Sequence, residues 1–179
     1  IEAFRTCPLH FKLRYILKIP TPTTAPLSMG NSMHLTLREL YSHSGLDPES
    51  ILNKNWIVEG YTSKKHEQES LEKAKKFLTE YLKSDLHKNA NPIHLEETFS
   101  LNIEQTLKIG GKIDRIDELK NGEIGIIDYK TGANVPTQKE IDAELQMTIY
   151  ALAATIKKPI EKVKLCFYYF DTASKIETT

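Results

Sequence analysis

Residues 126–132 read IIDYKTG, with an aspartate and a lysine two apart at the end of an apolar run. Charges at the edge of a core are costly unless something binds them. In an extended strand, side chains two apart share a face, so Asp128 and Lys130 point one way while Ile127 and Tyr129 point the other. Taken alone, the pair reads as a surface ion pair at a strand end. The segment before it, GGKIDRID, brings Asp114 behind two glycines that allow another backbone or a ligand to approach closely.

The two segments are joined by KNG, and Asn-Gly between apolar runs signals a hairpin. A two-residue loop at Asn121-Gly122 would set Asp114 opposite Tyr129, on the wrong face from Asp128. A three-residue loop, Lys120-Asn121-Gly122, pairs Leu119 with Glu123 and sets Asp114 opposite Asp128. Such loops combine a type I turn with a residue in the left-handed region, and Gly122 supplies it. The second register is therefore expected. Two opposed carboxylates repel unless a proton or a cation lies between them. A hard divalent cation is the economical solution, and Mg²⁺ takes one or two carboxylates plus waters and phosphates. Lys130 beside it would orient an attacking water and stabilise charge developing on a phosphate. Two aspartates, a lysine and a metal make the chemistry of phosphodiester hydrolysis.

Several elements must position these groups. Helices are expected over residues 8–17, over the segment SMGNSMHLTLRELYSHSG with Met33, Leu37, Leu40 and Tyr41 on one face, and over SKKHEQESLEKAKKFLTEYLKS with Leu71, Ala74, Leu78 and Leu82 as its stripe. HLEETFSLNIE then alternates, with Leu95, Phe99, Leu101 and Ile103 on one side. Glu97 falls on that apolar side, but a strand-end glutamate reads as solvated and neither Glu96 nor Glu97 is counted in the site. After the hairpin, Thr137 and Glu140 form a capping box opening a long helix through Ala154. Its expected stripe is Ile141, Leu145, Ile149, Leu152 and Ile156. VKLCFYYFDT, apolar on both faces, reads as a central strand. Arg115 is open between a phosphate contact and an acidic neighbour.

The 179 residues suffice for one domain, helical over 1–90 and sheet-bearing over 91–179. With 24 basic and 24 acidic side chains, net charge gives no global sign of a nucleic-acid partner, although a groove can be basic if charges segregate. No 18-residue apolar run exists, so no transmembrane helix is expected. Cys7 and Cys166 do not require a disulfide, which favours a reducing, cytoplasmic setting. A chain opening on Ile1 without a secretory leader reads as a fragment of a longer protein.

The motifs GKIDRID, IIDYKTG and QMTIY, with GNSMH and CPLHFKLRYILKIP upstream, resemble in order those of the PD-(D/E)XK nuclease superfamily. The likeness is to its branch of RecB- and AddB-like domains, the C-terminal nuclease parts of UvrD/RecB-type helicase–nucleases. It covers almost the whole chain, and five weak motifs in the right order are specific together. The resemblance implies an α/β, restriction-endonuclease-like αβββαβ core with a mixed sheet, flanking helices and extra N-terminal helices. It implies Mg²⁺ or Mn²⁺ held by His34, Asp114, Asp128 and the backbone carbonyl of Tyr129. Lys130 would be the catalytic lysine, with Gln146 and Tyr150 supporting the site or contacting DNA. It also implies DNA, as single strands or duplex ends, and a helicase domain in the same chain or on a partner protein. Many relatives carry a four-cysteine iron–sulfur cluster. Cys7 fits its first position but no cysteine cluster follows, so no cluster is expected in this chain. The competing expectation is a DNA-binding or scaffolding module without cleavage. No glycine-rich phosphate loop supports a different phosphate-ester enzyme.

Overall fold

From residue 92 onward, β-branched and aromatic residues favour strands. The computed structural model describes residues 2–104, 108–157 and 162–178. Its sheet has five strands in the order β1 (Pro92–Asn102), β2 (Lys108–Glu118), β3 (Ile124–Lys130), β4 (Val163–Tyr169) and β5 (Ser174–Thr178). β3 and β4 run parallel and the other neighbours antiparallel, giving the expected mixed sheet. A parallel pair needs a crossover, supplied by α7 (Gln138–Asp142) and α8 (Leu145–Lys157).

Alternation decides which helices each face receives. Ile124, Ile126, Leu165 and Phe167 pack with α8 residues such as Met147 and Ala153. Ile127, Tyr129, Cys166 and Tyr168 pack under α3 (Ala25–Ser42) and α5 (Lys64–Lys83). Met33, Leu37, Ala74 and Leu78 are buried there as their spacing predicts, joined by Phe77 and Tyr81. The short α4 (Pro48–Lys54) and α6 (Asp85–Lys88) complete this layer. At the N-terminus, α1 (Glu2–Thr6) precedes α2 (Pro8–Phe11), which continues as a π-helical turn over Lys12–Ile16. The expected helix is thus present in two geometries, with Pro8 in a first turn capped by Cys7.

The hairpin follows the three-residue solution. Arg115 pairs with Ile127, Ile116 with Ile126 and Asp117 with Gly125, and Gly122 takes φ 76°. The helix after it departs from expectation. Thr137 and Glu140 do form the capping box, but the helix stops at Asp142 and restarts at Leu145. That break rotates the second segment, so Leu145, Leu152 and Ile156 are exposed while Met147, Tyr150, Ala153 and Ala154 are buried. Ile103, expected on the apolar side of β1, lies past the strand's end and is also exposed. β5 has no counterpart among the expected elements. Its turn relies on Ala173 at φ 48°, where a glycine would have announced a hairpin.

Arg115 is wholly buried, which resolves its role. Its Nη1 donates to the hydroxyls of Tyr41 (2.6 Å) and Tyr81 (2.7 Å). Its Nη2 donates to the Leu86 carbonyl (3.1 Å) and lies 3.0 Å from Asp117 Oδ2. It ties β2 to α3, α5 and α6 and does not reach a phosphate. Arg115→Met is expected to destabilise the fold by about 3–5 kcal/mol, because it strands the buried Asp117 carboxylate. Urea denaturation checks this, and a loss under about 1 kcal/mol would contradict the bridging role.

Candidate active site

The pairing of β2 with β3 ends at Arg115 and Ile127, yet β1–β2 pairing runs on to Asn102 and Lys108, and β3–β4 pairing to Lys130 and Tyr169. The sheet forks there. At the fork Asp114 accepts from the Tyr129 backbone N–H through Oδ2 (2.8 Å), so a side chain replaces the next rung of the ladder. Asp128 and Lys130 lie just across it.

α3 brings a histidine to the same place. A Cβ on Gly30 would lie 3.2 Å from Thr131 Oγ1, so a glycine lets the helix come close to the end of β3. One turn later His34 Nδ1 lies 3.2 Å from Asp114 Oδ1 and 3.8 Å from Glu96 Oε1. His34, Glu96 and Asp114 each offer a ligand atom within 4.8 Å of the others. One imidazole nitrogen and two carboxylates suit a hard divalent cation. The electrostatics agree. Burial would lower the His34 pKa, but bonds to Asp114 and Glu96 and their charges outweigh it and raise it to about 10. Without a cation, the pocket therefore retains a proton on His34. That stabilising contribution is full below the ordinary histidine value and fades as pH rises towards 10. Burial would raise the Glu96 carboxyl, but His34 and Lys112 together hold it below the usual carboxylate range. Lys112 forms an ion pair with Glu96.

Glu96 is the residue that strand alternation misses. It takes φ 53°, a left-handed conformation rare for glutamate, which turns its side chain out of the alternation. The only sequence signal is two adjacent glutamates at the start of the strand.

Asp128 is 4% exposed and fully engaged. Its Oδ2 lies 2.7 Å from Lys130 Nζ. Its Oδ1 accepts from Gln146 Nε2 (2.9 Å) and lies 3.2 Å from the Tyr150 hydroxyl. Gln146 also accepts from Lys130 Nζ (3.1 Å) and donates to the Tyr150 hydroxyl (2.6 Å), so its amide joins the lysine to the acid. The Tyr150 hydroxyl lies 2.9 Å from the Lys112 carbonyl. Positions 146 and 150, one turn apart on α8, act together as their spacing allows. Burial pushes the Asp128 carboxyl up; Lys130 opposes this and Asp114 adds to it. Burial and the Asp128 charge likewise push the Tyr150 hydroxyl up.

The fork thus gathers His34, Asp114, Asp128, Lys130, Gln146 and Tyr150, and adds Glu96. The three-atom cluster contains His34, Glu96 and Asp114, while Asp128 sits beside it with its oxygens on Lys130, Gln146 and Tyr150.

A family model described as the PD-(D/E)XK nuclease superfamily matches residues 1–178. The chain belongs to this superfamily. Among its relatives, an ATP-dependent helicase/deoxyribonuclease subunit from Streptococcus mutans serotype c is 36% identical over 88 residues, 48% of this chain and 8% of the relative. The protein of the same name from Streptococcus agalactiae serotype Ia is 55% identical over 38 residues, 21% of this chain and 4% of the relative. The matches therefore cover a small part of each relative's length. The crystal structure of SSO0001 aligns over 97% of this chain and 76% of its own at 19% identity, with a TM-score of 0.38, too loose to bear on function. No helix among the described residues is long and apolar enough to cross a membrane.

Proposed function

We propose that this nuclease-superfamily chain is a Mg²⁺- or Mn²⁺-dependent deoxyribonuclease domain, cytoplasmic, and part of a helicase–nuclease acting in DNA recombination and repair. The observation that carries the reading is the fork: a histidine and two acids converge beside an Asp–Lys pair at the end of two diverging strand pairs. His34, Glu96 and Asp114 would hold the cation, with Asp128 and the Tyr129 carbonyl completing the set. A bound divalent cation supplies Lewis acidity towards a phosphate oxygen and an attacking water. Lys130 places a positive charge where charge develops on that phosphate, and can relay a proton to or from the water. Gln146 and Tyr150 hold Asp128 and Lys130 in that geometry. The names of the matched relatives, helicase/deoxyribonuclease subunits, support the reading that this domain belongs to a longer chain and works with a helicase.

The test is cleavage of labelled single-stranded and duplex DNA by the purified chain, with Mg²⁺, Mn²⁺ or EDTA. Cation-dependent cleavage is expected. Binding without cleavage in either metal would replace this reading with a non-catalytic DNA-binding module.

A further inference from the structure

We propose that the Tyr81 hydroxyl is a positioning group: it fastens the two strands of the fork to each other, and so sets which size of divalent cation the site accepts. The cation itself belongs to the nuclease reading; the fastening rests on geometry.

Alternation gives each strand of the fork two faces. β2 presents Asp114 to the site and Arg115 to the layer of α5, and β3 presents Asp128 and Tyr129 in the same way. The β2–β3 ladder ends at Arg115 and Ile127, so these residues stand where the two backbones stop holding each other. On the site face, the Asp114 carboxylate takes the Tyr129 N–H at 2.8 Å. On the other face, Arg115 Nη1 donates to the Tyr81 hydroxyl (2.7 Å), which lies 2.9 Å from the Tyr129 hydroxyl. Tyr81 belongs to α5, so one side chain from outside the sheet links β2 to β3 across the gap. The fork is tied twice, once on each face.

The second tie is enclosed. Arg115 and Tyr81 are wholly buried, and Tyr129 is 5% exposed. Burial pushes both tyrosine hydroxyls well above their ordinary pKa, so each keeps a proton to donate. One arrangement uses every hydroxyl proton: Tyr129 donates to Tyr81, Tyr81 to Tyr41 (2.6 Å) and Tyr41 to His87 Nδ1 (2.9 Å). Burial and the Arg115 charge lower the His87 pKa, which suits a neutral ring as the last acceptor. Packing alone requires none of these hydroxyls. Phe170 stacks on the Tyr129 ring at 5.8 Å and meets the Tyr81 ring at 5.9 Å with no polar atom in its side chain. A fully satisfied buried network instead fixes one arrangement of the elements that carry it.

What this tie fixes is the gap between ligands. Asp128 comes from β3, while Asp114 and Glu96 come from β2 and β1. The Tyr129 ring also meets the His34 ring edge-on at 6.0 Å, so the histidine rests against the same anchor. Mg²⁺ demands a near-ideal octahedron with ligands about 2.0–2.1 Å away. Ca²⁺ takes roughly six to eight oxygens at about 2.3–2.6 Å in flexible geometry. A fork of fixed width favours the small ion. A loosened fork admits the large one.

Displacement of Mn²⁺ from the purified chain by Mg²⁺ or by Ca²⁺, followed through the Mn²⁺ EPR signal, tests this without DNA. Tyr81→Phe is expected to weaken Mg²⁺ binding about tenfold, as loss of a group that orients a metal ligand does. Ca²⁺ binding should change little, so the preference moves towards Ca²⁺ by about the same factor. Tyr129→Phe breaks the same link without orphaning a buried hydroxyl, and should move the preference equally. Should Tyr81→Phe fail to fold, Tyr129→Phe decides alone. The double variant should move the preference no further than either single one. Tyr41→Phe leaves the link from Arg115 through Tyr81 to Tyr129 whole, and should keep the unaltered preference. An unchanged preference in Tyr129→Phe or in folded Tyr81→Phe, a further shift in the double variant, an equal shift in Tyr41→Phe, or no Mn²⁺ bound by the unaltered chain would each overturn the proposal. Failure of the nuclease reading looks different: Mn²⁺ bound with a Tyr81-dependent preference, and no cleavage in either metal.

Discussion

Asp114→Asn is expected to abolish cation-dependent cleavage, a loss of more than about three decades, while the fold persists. The substitution keeps the volume and an oxygen that can still accept from the Tyr129 N–H, so the rung replacing the strand ladder survives. What it removes is the negative charge facing His34 at 3.2 Å and one ligand atom of the three-membered cluster. The same carboxylate helps to keep a proton on His34, so the variant's His34 pKa should fall from about 10. In the metal-free variant, whatever stability that pair contributes between the ordinary histidine value and pH 10 should therefore shrink. His34→Ala should be milder than Asp114→Asn, because a neutral imidazole brings no charge to a cation and a water can take its place. Glu96→Gln removes a charge but leaves Asp114, and should fall between the two. Calorimetric Mn²⁺ titration beside the cleavage assay checks the order. Cleavage retained by purified Asp114→Asn, or a His34 variant worse than it, would mean that the roles are misassigned.

The parts of this site that the sequence reveals are those set by local, periodic rules. Parity along β2 and β3 and the Asn-Gly turn determine that Asp114 and Asp128 approach each other, and Gly122 at φ 76° is the residue that register needs. Spacing of one helical turn puts Gln146 over Tyr150, and both find Asp128. What stays hidden arises where a local rule is broken without a glycine or proline to mark the place. Ala143 and Glu144 interrupt a helix that has a sound capping box and no breaker, so the stripe through Leu145, Leu152 and Ile156 has the wrong phase. Ala173 adopts a conformation glycine usually takes, which conceals β5. Glu96 does the same inside β1 and reaches His34 and Asp114 from a position alternation assigns elsewhere. Arg115 is undecidable from sequence because its partners, Tyr41, Tyr81 and Leu86, come from three separate helices. Only the tertiary structure assembles them.

Lys130→Ala should cost about two to four decades in cleavage, the scale of a positioned proton-transfer or charge-stabilising group. Two roles would explain such a loss, and the contacts of Lys130 separate them. Its Nζ touches Asp128 Oδ2 at 2.7 Å and Gln146 Oε1 at 3.1 Å, and lies 4.9 Å from the centre of the Phe167 ring. As a structural counter-ion, it would exist to make the buried Asp128 tolerable, and removing it would leave that acid unbalanced. Asp128 would then take up a proton more readily and Mn²⁺ affinity would fall together with activity. As a catalytic group, it competes with the cation for the same acid, and removing it should leave Mn²⁺ affinity unchanged or slightly tighter. Gln146 and Tyr150 favour the second outcome, because they hold Asp128 Oδ1 while the lysine engages only Oδ2. Lys130 is also about a third exposed, so it opens towards solvent while Asp128 does not. Calorimetry on Lys130→Ala is thus the decisive measurement: lost cleavage with retained Mn²⁺ binding assigns the lysine to the water and phosphate, and joint loss makes it a counter-ion.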